Sequence, residues 1–110
     1  MSEDALSSQQ LLQAGKLEEA LAAAESEIAS NPDDTGALYC KAVAERYLER
    51  HEEALETLAQ LKALAPQYAR AYQEEGHVFR ALGQPDRARA SYQQAVRLNS
   101  ALPAAWRELA

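Results

Sequence analysis

Across 110 residues the sequence contains one cysteine, one methionine, one tryptophan and one phenylalanine, with four glycines and four prolines. A lone Cys40 excludes an internal disulfide, and its apolar helical surroundings suit a buried thiol better than a redox centre. Strand formers are scarce, while Ala, Leu, Glu and Gln are plentiful, which is the make-up of a helical chain. No apolar run approaches the roughly 20 residues that cross a bilayer. The opening MSEDALSSQQ lacks the basic start and apolar stretch of a secretion signal. A soluble chain, cytoplasmic and away from the membrane, is the expectation. Its length suits one domain, since domains usually run to about 100–150 residues.

Excess positive charge is missing as well. The net charge is −6, which argues against nucleic acid as a partner, because phosphate contacts need clustered Lys and Arg. The charge is unevenly spread. Residues 1–34 hold one Lys against eight acids, residues 35–68 four bases against five acids, and residues 69–110 six Arg against four acids.

What the sequence does contain is a period of 34. Ala20, Ala54 and Ala88 are separated by it, as are Pro32 and Pro66, Leu64 and Leu98, and the bulky Leu38, Tyr72 and Trp106. Gly15 and Gly83 stand at twice that spacing. Offsets of about 20–50 residues are the mark of solenoids. Each unit reads as two amphipathic helices of about 14 residues. Gly15 and Gly83 end first helices, where positive φ closes the last carbonyls. Pro85 suits a first helical turn, and Glu18, Glu19, Glu52, Glu53 and Asp86 suit the positive end of the helix dipole. The repeated alanines let paired helices approach, and Leu21 with Ile28, Leu55 with Leu58 and Tyr92 with Val96 supply apolar contacts. SNPDD and LAPQY end second helices, because proline forbids continuation.

These residues resemble the tetratricopeptide repeat, whose 34-residue unit favours a large residue at its fourth place, Gly near the fifteenth, Ala at the twentieth and Pro at the thirty-second. The resemblance spans almost the whole chain. It implies an all-α, right-handed helical-hairpin solenoid of three units, 1–34, 35–68 and 69–102, with a seventh helix opening a fourth at 103–110. Departures are Lys41, Glu45 and Glu75 in places usually apolar, Glu49 in place of Gly, Glu27 in place of a small residue and Ser100 in place of the third Pro. The run LNSALPAAWREL is also similar to the repeat region that precedes a sulfotransferase domain in bacterial proteins. Under that reading the chain is the non-catalytic leader of a larger enzyme.

The resemblance further implies that first helices line a concave groove holding a peptide or a partner segment. Its groove places fall on Ser2, Ala5, Gln9, Leu12 and Gln13, then Gly36, Tyr39, Val43, Arg46 and Tyr47. The third unit places Arg70, Gln73, His77, Arg80 and Ala81 there, and the fourth Ala104 and Arg107. The first set is bland. The binding residues expected from this pattern are therefore Tyr39, Val43, Arg46, Arg70, Gln73, His77, Arg80 and Arg107. Helical spacing independently puts residues 70, 73, 77 and 80 on one face, apart from the core face of Tyr72, Gly76 and Phe79.

Two readings of the arginines compete. Together they make a basic wall for an acidic partner. Alternatively they are solvated side chains paired with Glu45, Glu49, Glu74 or Glu108, each pair contributing only about 0–1 kcal/mol. Tyr39, Val43 and Tyr47 likewise suit either groove or core. With Lys41 and Glu45 in apolar places, a rotated helix would carry Tyr47 into the core, whereas Tyr39 is assigned to the groove. Some members of the family grip a C-terminal carboxylate with Lys, Asn, Asn, Lys and Arg. Here Ala5, Gln9, Cys40, Arg70 and Glu74 hold those places, and only Arg70 has suitable chemistry, so that route is not expected.

Nothing spells catalysis. His51 lies in a turn beside Glu52 and His77 in the groove. Neither has a ligand partner four residues on, and no HExxH, CxxC or P-loop pattern occurs. Cys40 and His77 sit in separate repeats, which favours structural roles over a nucleophile pair. No catalytic residue, metal ligand or cofactor is expected. An interaction module follows, with self-association through Trp106 and Leu109 at the C-terminal end as a further expectation.

Overall fold

The computed structural model describes residues 6–110, which form seven helices and, among these described residues, no strand. In chain order they are α1 (Ser8–Gln13), α2 (Leu17–Ser30), α3 (Thr35–Tyr47), α4 (His51–Leu64), α5 (Ala69–Ala81), α6 (Pro85–Leu98) and α7 (Pro103–Leu109). The body is elongated, 48 × 24 × 23 Å, as expected when each hairpin touches only its neighbours.

Helix starts follow side-chain chemistry. Ser7 caps α1 through its hydroxyl while Gln10 returns a bond to the Ser7 N–H, a reciprocal box. The Asp34 carboxylate accepts from the Ala37 N–H at the head of α3. Helices α2, α4 and α6 have no side-chain cap; their first turns hold Glu18 and Glu19, Glu52 and Glu53, and Asp86 instead. These acids offset the exposed N–H groups electrostatically.

The turn inside each hairpin is the same three times. Gly15, Glu49 and Gly83 adopt φ of 78°, 64° and 74°. One residue later, the N–H groups of Lys16, Arg50 and Gln84 donate to the carbonyls of Leu11, Glu45 and Phe79. This backward bond closes the helix end, and only a left-handed residue permits it. The Gly-to-Glu change at 49 thus keeps the turn and accepts its strain. Between hairpins, the Asn31 and Asn99 side chains accept from the N–H two residues on, so Ser100 does without the proline.

Hairpin partners α1 and α2, α3 and α4, and α5 and α6 lie together, and each hairpin rests on the next. Ala20, Ala54 and Ala88 are buried where the partners cross. One apolar cluster joins Leu38, Leu58, Leu61 and Val78; a second joins Tyr92, Ala95, Leu102 and Ala105. The first helices touch one another, α1 on α3 and α3 on α5, whereas the second helices share at most a marginal contact. A stack whose first helices are closer together curves towards them, which makes their outer face concave.

The acids at 45 and 75, in places usually apolar, and at 27, in a place usually small, each find a hydroxyl on a partner helix. Glu45 is buried, accepts from the Thr57 hydroxyl at 2.8 Å and lies 3.7 Å from the Lys41 ammonium. Glu75 accepts from Ser91 at 2.9 Å and pairs with Lys62. Glu27 accepts from the Ser8 hydroxyl and the Ser8 N–H at 2.6 and 2.9 Å. A buried carboxylate is tolerated only when its oxygens are satisfied in this way.

Candidate functional site: the face of the first helices

The described groove places lie on α1, α3, α5 and α7; Ser2 and Ala5 fall outside the described residues. Arg46 and Tyr47 end α3, and Arg80 and Ala81 end α5, one turn from the left-handed residue that stops each helix. Their side chains therefore share one edge of the concave face. Arg70, at the other end of α5, is exposed.

The arginines divide into two kinds. The Arg46 Nε–H donates to Glu74 Oε1 across 2.6 Å, joining α3 to α5, and Arg80 Nη1 donates to Glu108 at 2.9 Å, joining α5 to α7. These two are paired, as the solvated-pair reading anticipates, but each pair ties one hairpin to the next. Arg70 and Arg107 are exposed and make no ion pair among the described residues. Glu74 is buried, and loss of water pushes its carboxyl up from the ordinary range against the pull of Arg46.

His77 lies between these pairs. Its Nδ1 is 2.6 Å from the Tyr92 hydroxyl, with the rings edge to face. Burial, then the charges of Arg46, Arg80 and Arg107, hold the imidazole down at about 4. Burial is likewise the main cause that pushes the Tyr92 phenol up to about 12. Both groups are therefore neutral near pH 7, with the phenol donating to Nδ1 and the imidazole proton on Nε2. Tyr92 reaches this position because Gly76 gives it room. A Cβ at Gly76 would lie 2.6 Å from Tyr92 Cε1.

Gln73 turns inward, its side-chain oxygen accepting from the Ala105 N–H at 3.2 Å at the head of α7. Tyr39 is half-buried, packs on the first apolar cluster and tilts against Tyr68 with centroids 5.8 Å apart. Its phenol is pushed up to about 12, by burial first and then by Glu74. Val43 is only 6% exposed; it reaches the groove as the floor of a concavity rather than as an open contact.

Tyr47 overturns its assignment to the core. It is 57% exposed, with the Arg46 guanidinium 4.3 Å above its ring. The helix rotation behind that assignment does not occur, because Glu45 stays inside by bonding Thr57 and Lys41. At the C-terminal end, Trp106 is 49% exposed but its indole N–H donates to the Ser100 carbonyl at 2.8 Å. Leu109 is half-buried against the second cluster.

No group of His, Cys, Asp and Glu among the described residues is arranged to hold a metal ion. No described helix is long and apolar enough to cross a membrane. Sequence reasoning missed Glu74 and Tyr92 as the partners of Arg46 and His77, and missed Leu17, which lines a concavity with Leu12, a groove place it had passed over as bland. The sequence signals for these were slight: Glu74 stands three residues before His77 on α5, Tyr92 lies on the neighbouring α6, and two leucines flank Gly15.

Sequence models of the tetratricopeptide repeat match residues 8–69 and 69–102. The chain belongs to the tetratricopeptide repeat family. That family is a protein-interaction fold. No curated protein sequence matches the chain. Among solved structures it is similar to the first such domain of Spaghetti (RPAP3) bound to the HSP90 peptide SRMEEVD, at 22% identity and a TM-score of 0.86 over 93% of this chain and 81% of that one. It also resembles the Arabidopsis OM64 domain, at 16% identity and 0.88 over 93% and 84%. A third likeness is YrrB, described as a repeat protein with an unusual peptide-binding site, at 18% identity and 0.85 over 91% of this chain and 52% of that one. At these identities the likeness shows the fold.

Proposed function

We propose that this tetratricopeptide chain, in units 1–34, 35–68 and 69–102 with a fourth opening at 103, is a cytoplasmic interaction scaffold. Its concave face holds a peptide or partner segment, an acidic one. The observation that carries the reading is that Arg70 and Arg107, on the same first-helix face as the paired Arg46 and Arg80, are exposed and free of ion pairs among the described residues. An acidic segment gains charge-assisted bonds there without first breaking an internal pair. That RPAP3 domains are recorded with the acidic HSP90 and HSP70 peptides SRMEEVD and SGPTIEEVD supports the choice. The contacting residues on this reading are Tyr39, Arg46, Arg70, His77, Arg80 and Arg107, with Val43 as floor and Gln73 as support. No group is proposed to act in catalysis.

The test is capture from the source lysate by the wild-type chain and by Arg70→Glu/Arg107→Glu, both first shown equally helical by circular dichroism. Loss of a captured protein in the double variant supports the reading; retention removes it. Self-association is the second reading, favoured by the exposure of Trp106. It requires a mass that rises with concentration in sedimentation and falls back in Trp106→Ala.

A further inference from the structure

The second helices, which face away from the groove, carry opposite charge towards the two ends of the chain. Helices α2 and α4 expose Glu18, Glu19, Glu25, Glu52, Glu53 and Glu56, against the exposed Lys16 and Arg50 in the turns before them. Helix α6 exposes Arg87, Arg89 and Arg97 against Asp86 alone. None of these groups makes an ion pair among the described residues. The repeat does not ask for the arginines. One and two periods earlier, the places of Arg87, Arg89 and Arg97 hold Glu53 and Glu19, Leu55 and Leu21, and Ala63 and Ala29. Arg87 lies 5.7 Å over the Phe79 ring and Arg97 donates to Gln94. Beside the start of α4, and reached by Leu82 from the turn into α6, is a concavity of about 440 Å³ lined by Glu49, Arg50, His51, Glu52, Glu53 and Leu82.

We infer that this side of the protein pairs with a second copy of the chain, α6 of each lying on α4 of the other. The pairing does not depend on the groove reading. A two-fold axis parallel to the helices, between α4 and α6, makes the contact twice, and the same patch on both copies closes the pair. The second helices start 34 residues apart and run the same way, so the start of α6 meets the start of the other copy's α4. Arg87 and Arg89 then come opposite Glu52, Glu53 and Glu56. Arg50 offsets one of the three carboxylates on the wall of the concavity and leaves an excess of acid for the incoming guanidinium. The stem of that arginine covers the exposed Leu82. Farther along the two helices the exposed Ala59 and Ala90 let the backbones approach. A two-fold axis along the length of the stack would instead set α6 on α6 and glutamates on glutamates, which like charge opposes. Two helices from each copy, each about 21 Å long and 10 Å wide, cover less than the roughly 800 Å² per partner of a standard interface. The pairing is therefore reversible and weakens as salt screens it. Both concave faces stay turned outwards, which makes the pair a bivalent scaffold.

The experiment is sedimentation equilibrium of the full chain at low salt, with protein up to about millimolar. The wild-type mass is expected to rise from one chain to two with concentration and to fall back when salt is added. Arg87→Glu/Arg89→Glu and Glu53→Lys/Glu56→Lys, each first shown helical by circular dichroism, are expected to stay single when alone, because each sets like charges across the contact. Mixed in equal amounts they are expected to pair again, since both contacts of the mixed pair then join opposite charges. Trp106→Ala is expected to pair as the wild type does, which separates this surface from the C-terminal end. A wild type that stays single at every concentration, a mass beyond two chains, pairing that survives in either charge variant, or a mixture that stays single overturns the inference. If a charge reversal lowers helicity, Arg89→Gln is read in its place and is expected to weaken pairing roughly threefold; pairing as tight as wild type overturns the inference there too.

Discussion

Arg46 and Glu74 meet across 2.6 Å between the second and third hairpins, so the guanidinium that faces the groove is also a tie rod of the solenoid. Glu74 is 5% exposed. Glu74→Ala strands a partly desolvated charge and is expected to cost about 2–3 kcal/mol, below the roughly 3–5 of a fully buried pair because Arg46 keeps contact with water. Arg46→Met/Glu74→Leu is expected to restore most of that loss, as apolar replacements of buried pairs often do. Urea unfolding of the wild type and the two variants reads both values. A double variant no more stable than Glu74→Ala would contradict the assignment.

Gly76 and Tyr92 make the second close relationship. The Cβ of Gly76→Ala would lie 2.6 Å from the Tyr92 ring, which is buried and held by His77. Alanine favours a helix over glycine by about 1 kcal/mol, while overpacking costs about 1–3 kcal/mol. The net expectation is destabilisation by about 1 kcal/mol, and Gly76→Ala made in a Tyr92→Leu background, compared with Tyr92→Leu alone, is expected to be a gain. Thermal melts of Gly76→Ala, Tyr92→Leu and the double variant decide.

The turn at Glu49 offers the opposite sign. Its φ of 64° costs a non-glycine residue roughly 1–2 kcal/mol, partly offset by the greater freedom of glycine when unfolded. Glu49→Gly is expected to raise stability by about 0.5–1 kcal/mol, read by urea midpoint. An unchanged or lowered midpoint would show that the Glu side chain contributes more than the turn costs.

His77 makes stability depend on pH. The imidazole titrates near 6.5 in the unfolded chain and at about 4 in the folded one. Between those values the unfolded chain binds a proton that the folded chain refuses, so the contribution of His77 is present above pH 6.5 and is lost as pH falls towards 4. Discounted for the partial exposure of the ring, the loss is about 1–2 kcal/mol. Burial pushes the Glu45 and Glu74 carboxyls up, and their slope has the opposite sign. The expected result is therefore a difference: wild type loses more stability than His77→Gln between pH 6.5 and 4.5. Parallel curves would place the imidazole in water.

The repeat, the hairpin order and the left-handed turns were legible because backbone geometry leaves few residue choices: Gly15 and Gly83 for positive φ, Pro32 and Pro66 after second helices, Ala20, Ala54 and Ala88 where helices cross. The polar contacts across hairpins were not. Glu45 reads as an error of the pattern until Thr57 is known to face it, although Thr57 and its counterpart Ser91 are themselves 34 residues apart. Tyr47 was misassigned for the same reason, since a satisfied Glu45 removes the need for rotation. Which arginines are free was also hidden. Arg46 and Arg80 differ from Arg70 and Arg107 only in having an acid within reach on the next first helix.

The measurement closest to the central claim is amide chemical-shift mapping of the ¹⁵N-labelled chain on addition of an acidic peptide taken from a captured partner. Shifts confined to α3, α5 and α7, largest near Arg46, His77 and Arg107, are predicted. Shifts confined to α2, α4 and α6 would contradict a groove on the face of the first helices.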